Sequence, residues 1–106
     1  MINKLIKFES MPWETPHKGV AQKVYIEDTN RLRLLRFNDD FMEEDWCLNG
    51  HVGFVVEGEM NVDFNGEMTV YKKGDGLWIP AGENSKHKVI MEKGKEVLLI
   101  LFESLK

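Results

Sequence analysis

The sequence predicts an all-β protein, an antiparallel sandwich or barrel of short strands. Two observations carry this. No window of ten or more residues sets apolar side chains at i, i+3, i+4 and i+7 behind a capping residue, so helical periodicity is missing. Alternating runs recur instead, about 8 to 12 residues apart, separated by turn-forming residues. With 106 residues the chain expects a single core that buries roughly 60 to 68% of the unfolded surface by size scaling.

Taken in order, the predicted strands cover 20–26, 31–37, 41–48, 51–57, 60–64, 68–71, 76–79, 85–91 and 96–102. The punctuation between them is Asp28-Thr29-Asn30, Asn38-Asp39-Asp40, Asn65-Gly66, Lys73-Gly74-Asp75-Gly76 and Lys93-Gly94-Lys95, all residues that supply turns or a positive φ. Asn65-Gly66 is the sharpest of these, a two-residue hairpin signal. Residues 1–18 hold Pro12 and Pro16 and are expected as an N-terminal arm over a barrel domain of residues 19–106. Two strands are apolar on both faces: Val52, Phe54 and Val56 back the row that holds His51, and 97–102 is continuously apolar. A second sheet or a second subunit is expected to cover those faces, and a homodimer is the favoured form.

Composition excludes several function classes. The 14 Lys and Arg against 18 Asp and Glu give a net charge of −4, with no basic block to meet a nucleic-acid backbone. The longest apolar run, six residues at 97–102, falls far short of the about 20 that a membrane span needs. The first ten residues have neither the apolar segment nor the cleavage site of a signal peptide, so a cytoplasmic protein is expected. Cys47 is the sole cysteine, which forbids an internal disulfide.

The chemistry-bearing residues are few. Cys47 and His51 are four apart, around the Asn49-Gly50 turn, and alternation brings Asp45, Cys47 and His51 to one side of a strand pair. In 85–91 the same alternation turns His87 inward with Ser85, Val89 and Met91, leaving Lys86 and Lys88 to water. Thiolate, imidazole and carboxylate together suit zinc, nickel, copper or iron. The same residues admit another reading, in which Cys47 is a small buried side chain and the histidines are hydrogen-bonding groups in a polar-lined cavity. Trp46 is read as packing, Asp39, Asp40, Glu43 and Glu44 as a solvated acidic turn, and His17 as a surface residue.

Beyond these patterns, Gly74-Asp75-Gly76-Leu77-Trp78-Ile79-Pro80-Ala81-Gly82 resembles the second conserved motif of the cupin superfamily, and Glu57-Gly58-Glu59 resembles the glycine end of its first. The resemblance runs from about Arg31 to Phe102 and implies a jelly-roll barrel. Counted from Gly58, the family's glutamate ligand falls at His51 and its paired histidines at Cys47 and Asp45, so all three are replaced. Counted from Gly82, the family's last histidine falls at Ser85, or at His87 with a slightly longer turn. The replacement set Asp45, Cys47, His51 and His87 is still made of possible ligands. The run from Glu44 to His51 is also similar to a cupin subgroup marked by Asp, His, Trp and Cys before a Gly-His pair, although no histidine stands between Asp45 and Trp46.

What the resemblance implies is a divalent transition metal (zinc, nickel or iron) held by Cys47, His51 and His87, with Asp45 or water completing the shell. It would sit in a barrel lined by Val55, Val89, Leu99 and Phe37 or Trp78, with a small-molecule ligand above it. The alternative is a metal-free module that binds or senses a sugar or other metabolite. A reactive Cys47 thiolate is a third reading; it finds no base or oxyanion signature in the sequence.

Overall fold

Turn chemistry decides where the alternating runs reverse, and a bulge decides where the longest one bends. A computed structural model of the chain describes residues 4–105. The strands are β1 (Glu14–His17), β2 (Val20–Glu27), β3 (Asn30–Phe37), β4 (His51–Phe64), β5 (Glu67–Lys72), β6 (Gly76–Ile79), β7 (Lys88–Ile90) and β8 (Val97–Ser104), with short 3-10 turns at Phe8–Ser10 and Glu83–Ser85. Every pairing is antiparallel. The order runs β1-β2-β3-β8-β4-β5, with β6 and β7 also paired to β4. Among the described residues no helix is long and apolar enough to cross a membrane.

β4 is the spine of the jelly roll. Its first half pairs with β6 and β8, and its second half pairs with β5 and β7. The change falls where Val55 opposes Leu99 but Glu57 opposes Leu98, an extra residue that bends the strand from one sheet into the other. Gly58 follows at φ +77, and a Cβ there would stand 1.9 Å from the Glu96 carbonyl oxygen. The break expected at 58–59 is therefore continuous strand: Glu57 and Gly58 oppose Leu98 and Val97, Glu59 opposes Lys72, and the bulge falls at Val56. Asn65 and Gly66 do form a hairpin turn, both at positive φ, with the Gly66 N–H donating to Asp63 Oδ1.

Two other strand expectations are corrected. Residues 41–48 form no strand: the chain turns at Asn38, whose carbonyl accepts from the Phe41 N–H, and then makes only isolated bridges, Met42 to Ile90 and Cys47 to His87. Of its acidic residues Glu44 and Asp45 are exposed, and the segment crosses without a ladder. Of 85–91 only Lys88–Ile90 is strand, because the 3-10 turn occupies Glu83–Ser85. Within the expected arm, β1 pairs with β2, and Trp13 lies between Lys23 and Arg36, whose cationic groups stand 4.7 and 4.5 Å from its ring. Lys23 also donates to the Phe8 carbonyl, which accounts for a lysine at a buried position.

Inward residues of both sheets build the core, with Leu35, Val55, Val62, Leu77, Val97 and Leu99 among its most buried members. On the outer face, Val52, Phe54, Phe102 and Trp78 are exposed, Trp78 to 80%. Trp78 was expected to line the barrel. The register pairs it with Val52 and pairs His51 with Ile79, so Ile79 is the inward residue and Trp78 points out.

Candidate metal centre and its cavity

Backbone pairing brings the candidate donors together. The Cys47 N–H donates to the His87 carbonyl at 2.8 Å and the His87 N–H to the Cys47 carbonyl at 3.1 Å, so a two-residue bridge pins the loop to the segment before β7. His51 opens β4 immediately after Gly50, where a Cβ would lie 2.9 Å from the Ala81 nitrogen; glycine lets the chain pass that close. The donor atoms of Cys47, His51 and His87 all lie within 4.8 Å of one another, and Cys47 Sγ is 3.6 Å from His51 Nε2. His87 is 3% exposed, and its Nδ1 lies 3.0 Å from the Ser85 carbonyl oxygen.

Asp45 is not brought into this cluster. Its side chain is exposed and borders a surface depression with Lys18 and Trp46, because without a strand over 41–48 there is no alternation to turn it inward. Trp46 lies under Lys86 and Lys88. His17 is exposed on β1 and borders the cavity, and Glu43, expected in a solvated turn, is half-buried and accepts from the Val89 N–H at 2.7 Å.

The carboxylate beside the histidines is Glu103, which sequence reasoning missed. The β4–β8 register places it one step beyond the Val52 to Phe102 pair, next to His51, and directly opposite Arg31 of β3. Arg31 Nε and Arg33 Nη2 donate to its two oxygens, each at 2.9 Å. Glu103 Oε2 is also 3.4 Å from His51 Nδ1, near enough for an ion pair with a protonated ring yet off line for a hydrogen bond. Continuing the inward row Val97, Leu99, Leu101 by one period reaches Glu103, and that was the available signal.

Without a metal these groups polarise one another. Hydrogen bonds from His51 and then His87 bring the Cys47 thiol down to about 6, against the opposing effect of burial. Burial pushes His51 down, but the Cys47 sulfur and Glu103 outweigh it and carry the ring up to about 9. His87 is raised, chiefly by Cys47. Burial pushes Glu103 up, and His51 with the two arginines overcomes it, holding the carboxyl at about 2. The cluster is thus a thiolate beside an imidazolium, backed by a carboxylate clamped between guanidiniums.

A cavity of about 390 Å³ opens over it. Phe37, Phe41, Met60, Val62, Val89 and Leu99 supply apolar wall, while Cys47, His51, His87, Arg31, Arg33 and Glu103 supply the polar part. That size and mixed lining are those of a small-molecule site. Val55, expected in the lining, is fully buried in the core instead.

The profile of the family described as Cupin domain matches residues 49–103, just over half of the chain. No curated protein matches it in sequence. Among solved structures, the polyketide cyclase RemF from Streptomyces resistomycificus superposes with a TM-score of 0.81 at 16% identity, covering 99% of this chain and 81% of that one. An RmlC-like cupin from Shewanella frigidimarina gives 0.78 at 19% identity, over 99% and 93% of the two chains. KdgF from a Halomonas species gives 0.77 at 17% identity, over 99% and 96%. At these identities the likeness is one of fold.

Proposed function

The chain belongs to the cupin family, and on that premise we propose that it holds a divalent transition metal, zinc, nickel or iron, on Cys47, His51 and His87, with a small molecule bound in the cavity above. The observation that carries this is the donor set itself. Ligands at about 2.0 to 2.3 Å from a tetrahedral ion stand roughly 3.3 to 3.8 Å apart; the Cys47 to His51 separation of 3.6 Å falls in that range, and all three donors lie within 4.8 Å of one another. With three protein donors, a bound ion would have a further position for water or a ligand oxygen.

The surroundings fit the same group. His51 directs Nε2 at the sulfur while Nδ1, buried and lacking a hydrogen-bond partner, faces Glu103; His87 has Nδ1 against Ser85. The Ser85 carbonyl behind His87 Nδ1 is the usual support for a metal-bound histidine, and the Glu103 carboxylate puts a negative charge beside His51 Nδ1. A bound ion would supply Lewis acidity toward a ligand oxygen. The residues do the rest: Glu103 places a negative charge beside His51, the backbone bridge keeps Cys47 on His87, and the apolar wall lines the ligand's side of the cavity. A thiolate donor persists in a reducing compartment, which agrees with a cytoplasmic location.

Cobalt(II) titration tests this. The wild type is expected to develop a sulfur-to-cobalt charge-transfer absorption at one equivalent, and Cys47→Ser to lose it. A cobalt-loaded wild type without that band would remove Cys47 from the ligand set. The alternative is a metal-free site for a sugar or other metabolite. It is favoured by one observation, that Cys47 Sγ and His51 Nε2 already partner one another at 3.6 Å; no cobalt uptake at all would select it.

A second copy of the chain is the proposed cover for the outer face of Val52, Phe54, Phe102 and Trp78. These four carry no charge, so the face can meet itself without like-charge repulsion. Light scattering is expected to give twice the chain mass, falling to one chain mass in Phe54→Lys; a monomeric wild type would refute it.

A further inference from the structure

The polar wall of the cavity has an unbalanced end. On β3, Arg31 and Arg33 both face Glu103, so two guanidiniums share one carboxylate. Arg33 uses Nη2 on Glu103 and Nη1 on the Gln22 side-chain oxygen at 3.3 Å, while its Nε is buried with no partner. Arg33 is 19% exposed, so water reaches little of it. That Nε is enclosed by protein, so an incoming oxyanion meets the guanidiniums from the cavity side, where two cations around one carboxylate leave positive charge to offset. The cavity's other carboxylate, Glu43, is anchored to the backbone of β7, which pairs in the other sheet from β3, and does not balance this end.

Farther along the same inward row of β3 the lining is apolar and partly aromatic, with Phe37 stacked on Phe41 at 4.4 Å. The volume of about 390 Å³ equals the liquid volume of about 13 waters, which sets an occupant of about a dozen non-hydrogen atoms. We propose that the cavity's ligand is a small organic carboxylate with an apolar, ring-sized body, its carboxylate seated on Arg33 and Arg31 and its body against Phe37, Phe41 and Leu99. The inference rests on the reading of the cavity as a ligand site, and it uses none of the three metal-donor residues. A bidentate carboxylate suits the planar donor fork of arginine, whereas a neutral sugar would leave the surplus charge unmet.

The test compares 2-naphthoate with its neutral isostere 2-naphthamide by isothermal titration calorimetry, on metal-free and on zinc-loaded protein. In metal-free wild type, naphthoate is expected to bind at least tenfold more tightly than naphthamide. Arg33→Met, with its folding checked by a thermal melt, is expected to lose that preference while keeping its zinc stoichiometry and its affinity for naphthamide. Equal affinity for the two probes would overturn the inference and leave the cavity reading standing. A preference seen only with zinc and unchanged in Arg33→Met would place the carboxylate on the metal and overturn it too. Binding of neither probe in either form would overturn both the inference and the cavity reading beneath it. The wild-type comparison decides the matter alone if Arg33→Met does not fold.

Discussion

Replacing Glu103 by glutamine removes one negative charge from a buried network and little else. Glu103 is 8% exposed and accepts from Arg31 Nε and Arg33 Nη2, each at 2.9 Å. Glutamine keeps one acceptor oxygen and turns an NH2 toward a guanidinium, so one charge-assisted bond is lost and a donor meets a donor. At about 1.5 to 3 kcal/mol for such a bond, plus the cost of a half-buried cation left unpaired, the loss is about 2 to 4 kcal/mol. For a chain of this length that is a fall in Tm of about 8 to 16 °C at pH 7, measurable by calorimetry. The pH dependence follows from the carboxyl held at about 2 against an ordinary 4.5. Its contribution is complete above 4.5, fades as pH falls toward 2, and is gone only below 2, where wild type becomes as neutral as the variant. The gap between the two melting curves is therefore expected to narrow across that window. A fall of less than about 2 °C at pH 7, or a gap that stays constant from pH 7 to 3, would refute the reasoning.

Other expectations are more local. In metal-free protein, alkylation of Cys47 by iodoacetamide is expected to show a rate midpoint near pH 6, moving upward in His51→Gln; a wild-type midpoint near 9 would show that the imidazole does not support the thiolate. Gly58→Ala forces a Cβ to within 1.9 Å of the Glu96 carbonyl oxygen at φ +77, so about 3 kcal/mol should be lost and the urea midpoint should drop by about 1 to 2 M; an unchanged midpoint would mean that the bulge relaxes freely.

Much of the fold was legible because its signals are local. Alternation located the strands over 20–26, 31–37, 68–71 and 76–79, and Asn65-Gly66 located a hairpin. What local reading could not supply was continuity. Gly58 and Glu59 look like an interruption in the sequence, and only pairing with β8 and β5 shows them to continue a fourteen-residue strand past a bulge at Val56. The converse error arose at 41–48, where a run with strand-like alternation finds no neighbour to form a ladder with, and Asp45 consequently stays outside. Cys47, His51 and His87 were readable as possible ligands from residue type, yet their convergence depends on a bridge between positions forty residues apart. Glu103, Arg31 and Arg33 were harder. A lone acid at the end of an apolar run and two arginines alternating with leucines read as a solvent-facing edge until the β3–β8–β4 register turns them into the cavity.

Metal content is the most direct measurement, made by inductively coupled plasma mass spectrometry on untagged protein purified without chelator, beside Cys47→Ala, His51→Ala and His87→Ala. Near one equivalent of zinc, nickel or iron in the wild type, lost from each variant while its fold persists by circular dichroism, is the expected result. No transition metal in the wild type even after loading, or an equivalent that survives all three substitutions, would contradict a Cys47–His51–His87 metal centre.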